Sequence, residues 1–167
     1  MIFGADFRGQ REGENSLGNK SKYYLFGLVA LLLIIQLIPV NRDNPLSDEK
    51  LEIDAPLEII KILKNSCYDC HSNQTNWPFY SYIAPVSWLV AQDVKNGRKE
   101  FNLSEWSILP ARKREEIKKE MIEEVKENKM PLPIYLIMHP EAKLSDQQRQ
   151  ILEDWADSRA LRDSTLD

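Results

Sequence analysis

Cys67-Tyr68-Asp69-Cys70-His71 is the stretch that decides how the rest of the chain is read. It is a C-x-x-C-H, the pattern that attaches a c-type haem. On a helix, positions 67, 70 and 71 stand at i, i+3 and i+4 and face one way. Two thiols on that face can bond the two vinyl groups of a haem, while the imidazole beside the second thiol reaches the iron. The chain has only two cysteines and two histidines, so the pattern uses every cysteine present. Three other readings use the same residues. A thioredoxin-like redox pair would ordinarily sit near a βαβ pattern, and none is visible. A zinc site built with His71 and His139 lacks finger spacing. A structural disulfide across so short a loop would gain little entropy.

Working outward, the helix that leads into the motif is expected to begin near Asp54. Asp54 would be its N-cap, Pro56 would lie in its first turn, and Leu57, Ile60 and Leu63 would form its apolar stripe. Residues 41–53 read as a charged linker. Tyr23 to Val40 is an apolar run at the short end for a bilayer crossing, with Gln36 as its only strongly polar member. Lys20 and Lys22 precede it, with Arg8 and Arg11 further back, while only Arg42 and Lys50 follow closely. The positive-inside rule then expects a single-pass transmembrane anchor in a bacterial inner membrane, with a cytoplasmic N-terminus and a periplasmic domain. A cleaved signal peptide is the competing reading, but no small-x-small site follows the run. Residues 1–22 read as a disordered, polar leader.

After the motif, residues 72–82 are polar and aromatic, with Trp77, Pro78, Phe79, Tyr80 and Tyr82. They suit a wall around a haem, and a backbone carbonyl there would orient the imidazole. A second helix is expected from Ala84 to Gly97, with Gly97 as its C-cap. Phe101, Leu103, Trp106 and Leu109 read as apolar anchors. A third helix runs from Pro110 to about Asn128, burying Ile117, Met121, Ile122 and Val125. Its many charges read as a solvated face with pairs such as Glu115–Lys119.

Met130 lies between that helix and Pro131, in a stiff and extended loop. Cytochromes c use methionine opposite histidine, so Met130 is the candidate sixth ligand. Met138 and His139 are its rivals, and His139 could instead be a loop residue or a propionate contact. Ser145-Asp146-Gln147-Gln148 is a capping box that starts the last helix, and residues 161–167 read as a polar tail. Lys plus Arg is 22 against 26 for Asp plus Glu, a net charge of −4, which argues against a nucleic-acid partner.

The order helix with C-x-x-C-H, middle helices, Met loop and final helix resembles the class I cytochrome c plan. More specifically, CYDCHSNQTNWPFYSYIAPVSWLVAQDVKNGRKEFNLSEW and MPLPIYLIMHPEAKLS are similar to the bacterial haem-binding domain family. The resemblance implies an all-α haem domain over residues 54–160, following one N-terminal transmembrane helix at 23–40. It further implies one covalent haem c on Cys67 and Cys70, with His71 as proximal iron ligand and Met130 at the Met-Pro position. The glycine-proline loop that usually follows the motif in class I cytochromes c is missing, so Pro78 and Pro85 mark the region where the carbonyl for His71 is expected. The function expected is one-electron transfer between weak, transient redox partners. The alternative is a haem-based sensor or peroxidase-like protein with an open sixth site.

Overall fold

The structure, a computed structural model, describes residues 10–163, with side chains described for residues 20–157. Residues 1–9 of the expected leader and 164–167 of the expected tail lie outside the described residues. Among the described residues there are helices and turns and no strand.

α1 spans Gln10–Ile35, so the second half of the expected disordered leader is helical instead. The helix also ends before the apolar run does. Its apolar part, Tyr23 to Ile35, is thirteen residues. At ~1.5 Å per residue this is roughly 20 Å, against a hydrocarbon core of about 30 Å. No helix among the described residues is long and apolar enough to cross a membrane, and the expected transmembrane helix over 23–40 is corrected accordingly.

The segment after α1 is not a free tether. The Gln36 side chain donates to the Ala84 carbonyl (3.1 Å) and accepts from the Ala84 N–H (2.9 Å). Arg42 donates to the Ser81 carbonyl and lies 4.3 Å over the Tyr82 ring. Asn44 donates to the Thr75 carbonyl. Arg98 closes the strap from the other side, donating to the Asp43 carbonyl and to Asn44 Oδ1. The start of the expected charged linker is thus laid along the domain by hydrogen bonds made mainly to backbone.

α2 is Leu57–Ser66, capped by Pro56 without a side-chain bond rather than by Asp54. Its buried face is Ile59, Ile62 and Leu63, while Leu57 points to solvent. The i, i+3, i+4 spacing wins over the expected stripe because the helix packs on the last helix and not along its Leu57 edge. α3 is the single turn Tyr68–His71. α4, Val86–Glu100, runs three residues past Gly97, so Gly97 is inside the helix and Phe101 caps it. α5, Ala111–Lys126, buries the four expected residues and also Lys118. Lys118 is 2 % exposed; it pairs with Glu115 and sits 5.5 Å from the Trp155 ring centroid, an exception to the solvated-face expectation.

Asn128 closes α5 in the left-handed region (φ 57°), and the Lys129 and Met130 N–H groups return to the Glu124 carbonyl. Asn tolerates that conformation better than most residues. α6, Pro133–Met138, is a short helix within what reads in sequence as loop. α7, Asp146–Asp163, starts at a complete capping box: Ser145 Oγ accepts from the Gln148 N–H, and Gln148 Oε1 accepts from the Ser145 N–H. The core joins Ile59, Ile62 and Leu63 of α2 to Met121, Ile122 and Val125 of α5 and Leu152 and Trp155 of α7. The C-x-x-C-H motif leaves the end of α2, at the margin of this core.

Candidate functional site

Cys67 is both the last residue of α2's cap and the entry to α3. Its φ of −126° and ψ of −33° bend the chain, so the motif does not run straight on from α2 as expected. The turn itself forms. The Cys67 carbonyl accepts from the N–H of Cys70 (3.2 Å) and of His71 (2.9 Å), bringing residues 67, 70 and 71 to one side. Tyr68 points the other way, into the core.

The loop after the turn is held at nearly every residue. Ser72 Oγ donates to the Tyr68 carbonyl, and Thr75 Oγ1 donates to the Asp69 carbonyl, both at 2.7 Å. Asn73 receives Asn102 Nδ2, and its N–H donates to Ser104 Oγ. Arg98 Nε donates to the Ser72 carbonyl, one residue from His71. α4 packs on the turn through Gly97. A Cβ at that position would stand 2.5 Å from the Cys70 carbonyl oxygen.

His71 is 7 % exposed and stacks on Phe101, with ring centroids 4.0 Å apart and planes 12° from parallel. Burial lowers its pKa, opposed by the nearby carbonyls of Phe101 and Gly97 and the Glu100 carboxylate. Nδ1 is buried and makes no hydrogen bond. The carbonyls beside the imidazole therefore come from the end of α4, not from the Pro78–Pro85 region expected from sequence.

Cys67, Cys70, His71 and Met130 all line one cleft of about 210 Å³. A neighbouring cleft of about 370 Å³ shares Cys67, His71 and Met130 and adds Phe101, Met121 and Leu144. A third, of about 330 Å³, lies on the Cys70 side and is walled by Tyr80, Leu89, Tyr135 and Met138 among others. Met138 thus shares a cleft with Cys70 but not with His71. His139 is committed elsewhere. Its Nε2 is 2.7 Å from the Tyr80 hydroxyl, its Nδ1 is 3.0 Å from Glu141, and its ring stacks on Tyr135 at 4.3 Å. Of the aromatic loop, Tyr80 reaches the site, while Phe79 and Tyr82 are exposed. Gly97, Phe101 and Tyr135, whose hydroxyl donates to Asp69 Oδ2 (2.7 Å), belong to the site, and sequence reasoning missed their part in it.

The two thiols are free. Burial, and then the neighbouring Cys70, push Cys67 up to about 12; burial, then the Asp69 and Asp93 carboxylates, push Cys70 up to about 12 as well. A redox-active C-x-x-C depends on the opposite shift. A thiol at about 12 rather than its ordinary 9 carries about a thousandth of the thiolate at neutral pH. Iodoacetamide at pH 8 should therefore alkylate the helical, unloaded chain at least about a hundredfold more slowly than the chain in urea. Equal rates would show that the thiols are not enclosed. Among the described residues, no group of three or more His, Cys, Asp and Glu is placed to hold a bare metal ion, which leaves the zinc reading without a site.

The arrangement suits a porphyrin. Two thiols and one imidazole share a turn, a thioether shares their cleft, and much of the lining is apolar. A family model described as a haem-binding domain matches residues 30–158. The chain belongs to the haem-binding domain family. Comparison with curated proteins gives no match, and neither does comparison with solved structures. The matched part of this haem-binding domain starts inside α1 and takes in the whole strap as well as the C-x-x-C-H turn and the Met130 loop. The bound group is thus haem, with its iron, in an all-helical domain.

Proposed function

We propose that the haem is of c type and single, bonded through Cys67 and Cys70, with His71 as the proximal iron ligand and Met130 as the distal one. The carrying observation is that these four side chains line one cleft. Nδ1 is buried and makes no hydrogen bond, so Nε2 is the ring nitrogen taken for the iron. A bound haem supplies a one-electron couple, and the work proposed for the protein is electron transfer between weakly docked partner proteins. The chain's own residues orient the imidazole by stacking and close the site with Phe101, Met121 and Leu144. The cysteines fix the group's position by covalent attachment.

We also propose attachment to a membrane through the residues around α1, with the domain outside the cytoplasm, where c-type attachment normally takes place. Every side chain from Lys20 to Ile34 is exposed, right round the helix, and most from Tyr23 onward are large and apolar.

The test is the pyridine haemochrome spectrum of the full chain made with c-type maturation enzymes; a free-vinyl spectrum would end the covalent reading. Met130→Ala should then lower the reduction potential by on the order of 100 mV, within the ~0.8 V range that axial ligands set. It should also let carbon monoxide bind the reduced protein rapidly. An unchanged potential and spectrum would remove Met130 from the iron and favour the sensor or peroxidase-like alternative.

A further inference from the structure

No Asp, Glu, Lys or Arg occurs between Asp69 and Asp93, nor between Lys129 and Glu141, in a chain that is 29 % charged. The fold brings these two uncharged stretches together. Val86 and Leu89 of α4 line the same cleft as Ile134, Ile137 and Met138 of α6, and all five are exposed. Phe79 (71 %), Tyr82 (59 %) and Ile83 (52 %) extend the surface beyond it. These three line none of the three clefts described around the motif. An exposed apolar area of this kind marks a surface that something else covers.

The position of α1 identifies what covers it. Gln36, immediately beyond the helix, is bonded to both the N–H and the carbonyl of Ala84, the residue between Ile83 and Pro85. The apolar helix therefore leaves the domain from the middle of the uncharged face. A partner protein would cover one stripe of a helix, but the apolar part of α1, from Tyr23 to Ile34, is exposed on all sides, which calls for a surrounding apolar phase. Tyr82 with the Arg42 guanidinium over its ring is the pairing of types that suits a headgroup layer.

Resting on the membrane-attachment part of the reading above, we infer that the domain does not hang clear of the bilayer but lies on it: the lipid surface covers the face formed by Phe79, Tyr82, Ile83, Val86, Leu89 and Ile137, with the strap fixing that orientation. The cleft beside Cys70 then opens toward the lipid.

The full, haem-loaded chain would be reconstituted in phosphatidylethanolamine–phosphatidylglycerol vesicles containing a phospholipid with a photoactivatable diazirine near the headgroup. After irradiation, labelled peptides are located by mass spectrometry. Label is expected on 77–90 and 133–138 as well as on 23–40. In Phe79→Glu combined with Ile83→Glu, label on 77–90 should fall about fivefold, because charges are disfavoured there, with the haem spectrum unchanged. Label confined to 23–40 overturns the inference while leaving attachment standing, as does cross-linking of the face to a second copy. No label even on 23–40 overturns attachment itself, and an unlabelled chain with an intact haem spectrum leaves the electron-transfer reading untouched.

Discussion

With Cys67→Ser and Cys70→Ser combined, all haem is expected to extract into acidified acetone, and the denatured chain to weigh no more than its bare polypeptide. Wild type carried through the same maturation should keep its haem through both steps. The argument is local. The two thiols belong to one helical turn whose backbone bonds converge on the Cys67 carbonyl, and both open on the cleft that holds His71 and Met130. Nothing else in the chain can replace them, since there is no third cysteine. His71→Ala should separate attachment from ligation. The thiols remain, so haem stays bonded, but the absorption spectrum should lose its low-spin bands, and the potential should move with the lost ligand. Serine is nearly the size of cysteine and the turn does not rely on either sulfur, so the double variant should keep its helical circular dichroism. If the serine variant still carries haem after acid-acetone, the attachment assigned to this turn is wrong.

What the sequence makes legible follows from which forces are local. The C-x-x-C-H turn, the buried face of α5 and the Ser145–Gln148 box depend on neighbours three or four residues away, and all three stand in the structure. The choice of face on α2 does not. Both Leu57-Ile60-Leu63 and Ile59-Ile62-Leu63 are helical stripes, and contact with α7 decides between them. The strap is less legible still. Gln36, Arg42 and Asn44 bond to the carbonyls of Ala84, Ser81 and Thr75, and a backbone carbonyl carries no residue signature. Lys118 reads as one more cation in a charged run, yet the fold seats it against Trp155. The candidate ligands were legible as residue types; that Met130, rather than Met138 or His139, shares the cleft with His71 required the folded chain.

Gly97→Ala is expected to destabilise the domain by about 2 kcal/mol and to disturb the haem site, although alanine is the better helix former. In a helix with space around it, the exchange would gain about 1 kcal/mol. At Gly97 the new methyl group would meet the Cys70 carbonyl oxygen at 2.5 Å, its carbon at 2.9 Å and the Cys70 Cβ at 3.0 Å. The first two are backbone atoms of the C-x-x-C-H turn and cannot rotate away. α4 must move off α3, and the movement drags both ends of the site: Phe101, which stacks on His71, and Arg98, which holds the Ser72 carbonyl. Overpacking of this kind costs about 1–3 kcal/mol, and more where backbone opposes it, which outweighs the propensity gain. Gly27→Ala is the control, because nothing lies within 4 Å of a Cβ placed there. In urea unfolding followed by circular dichroism, Gly97→Ala should shift the midpoint downward and Gly27→Ala should not. The absorption spectrum should change only in the former. Matching midpoints for Gly97→Ala and wild type would mean that α4 does not press on the Cys70 turn, and the geometry assigned to His71 would fall with it.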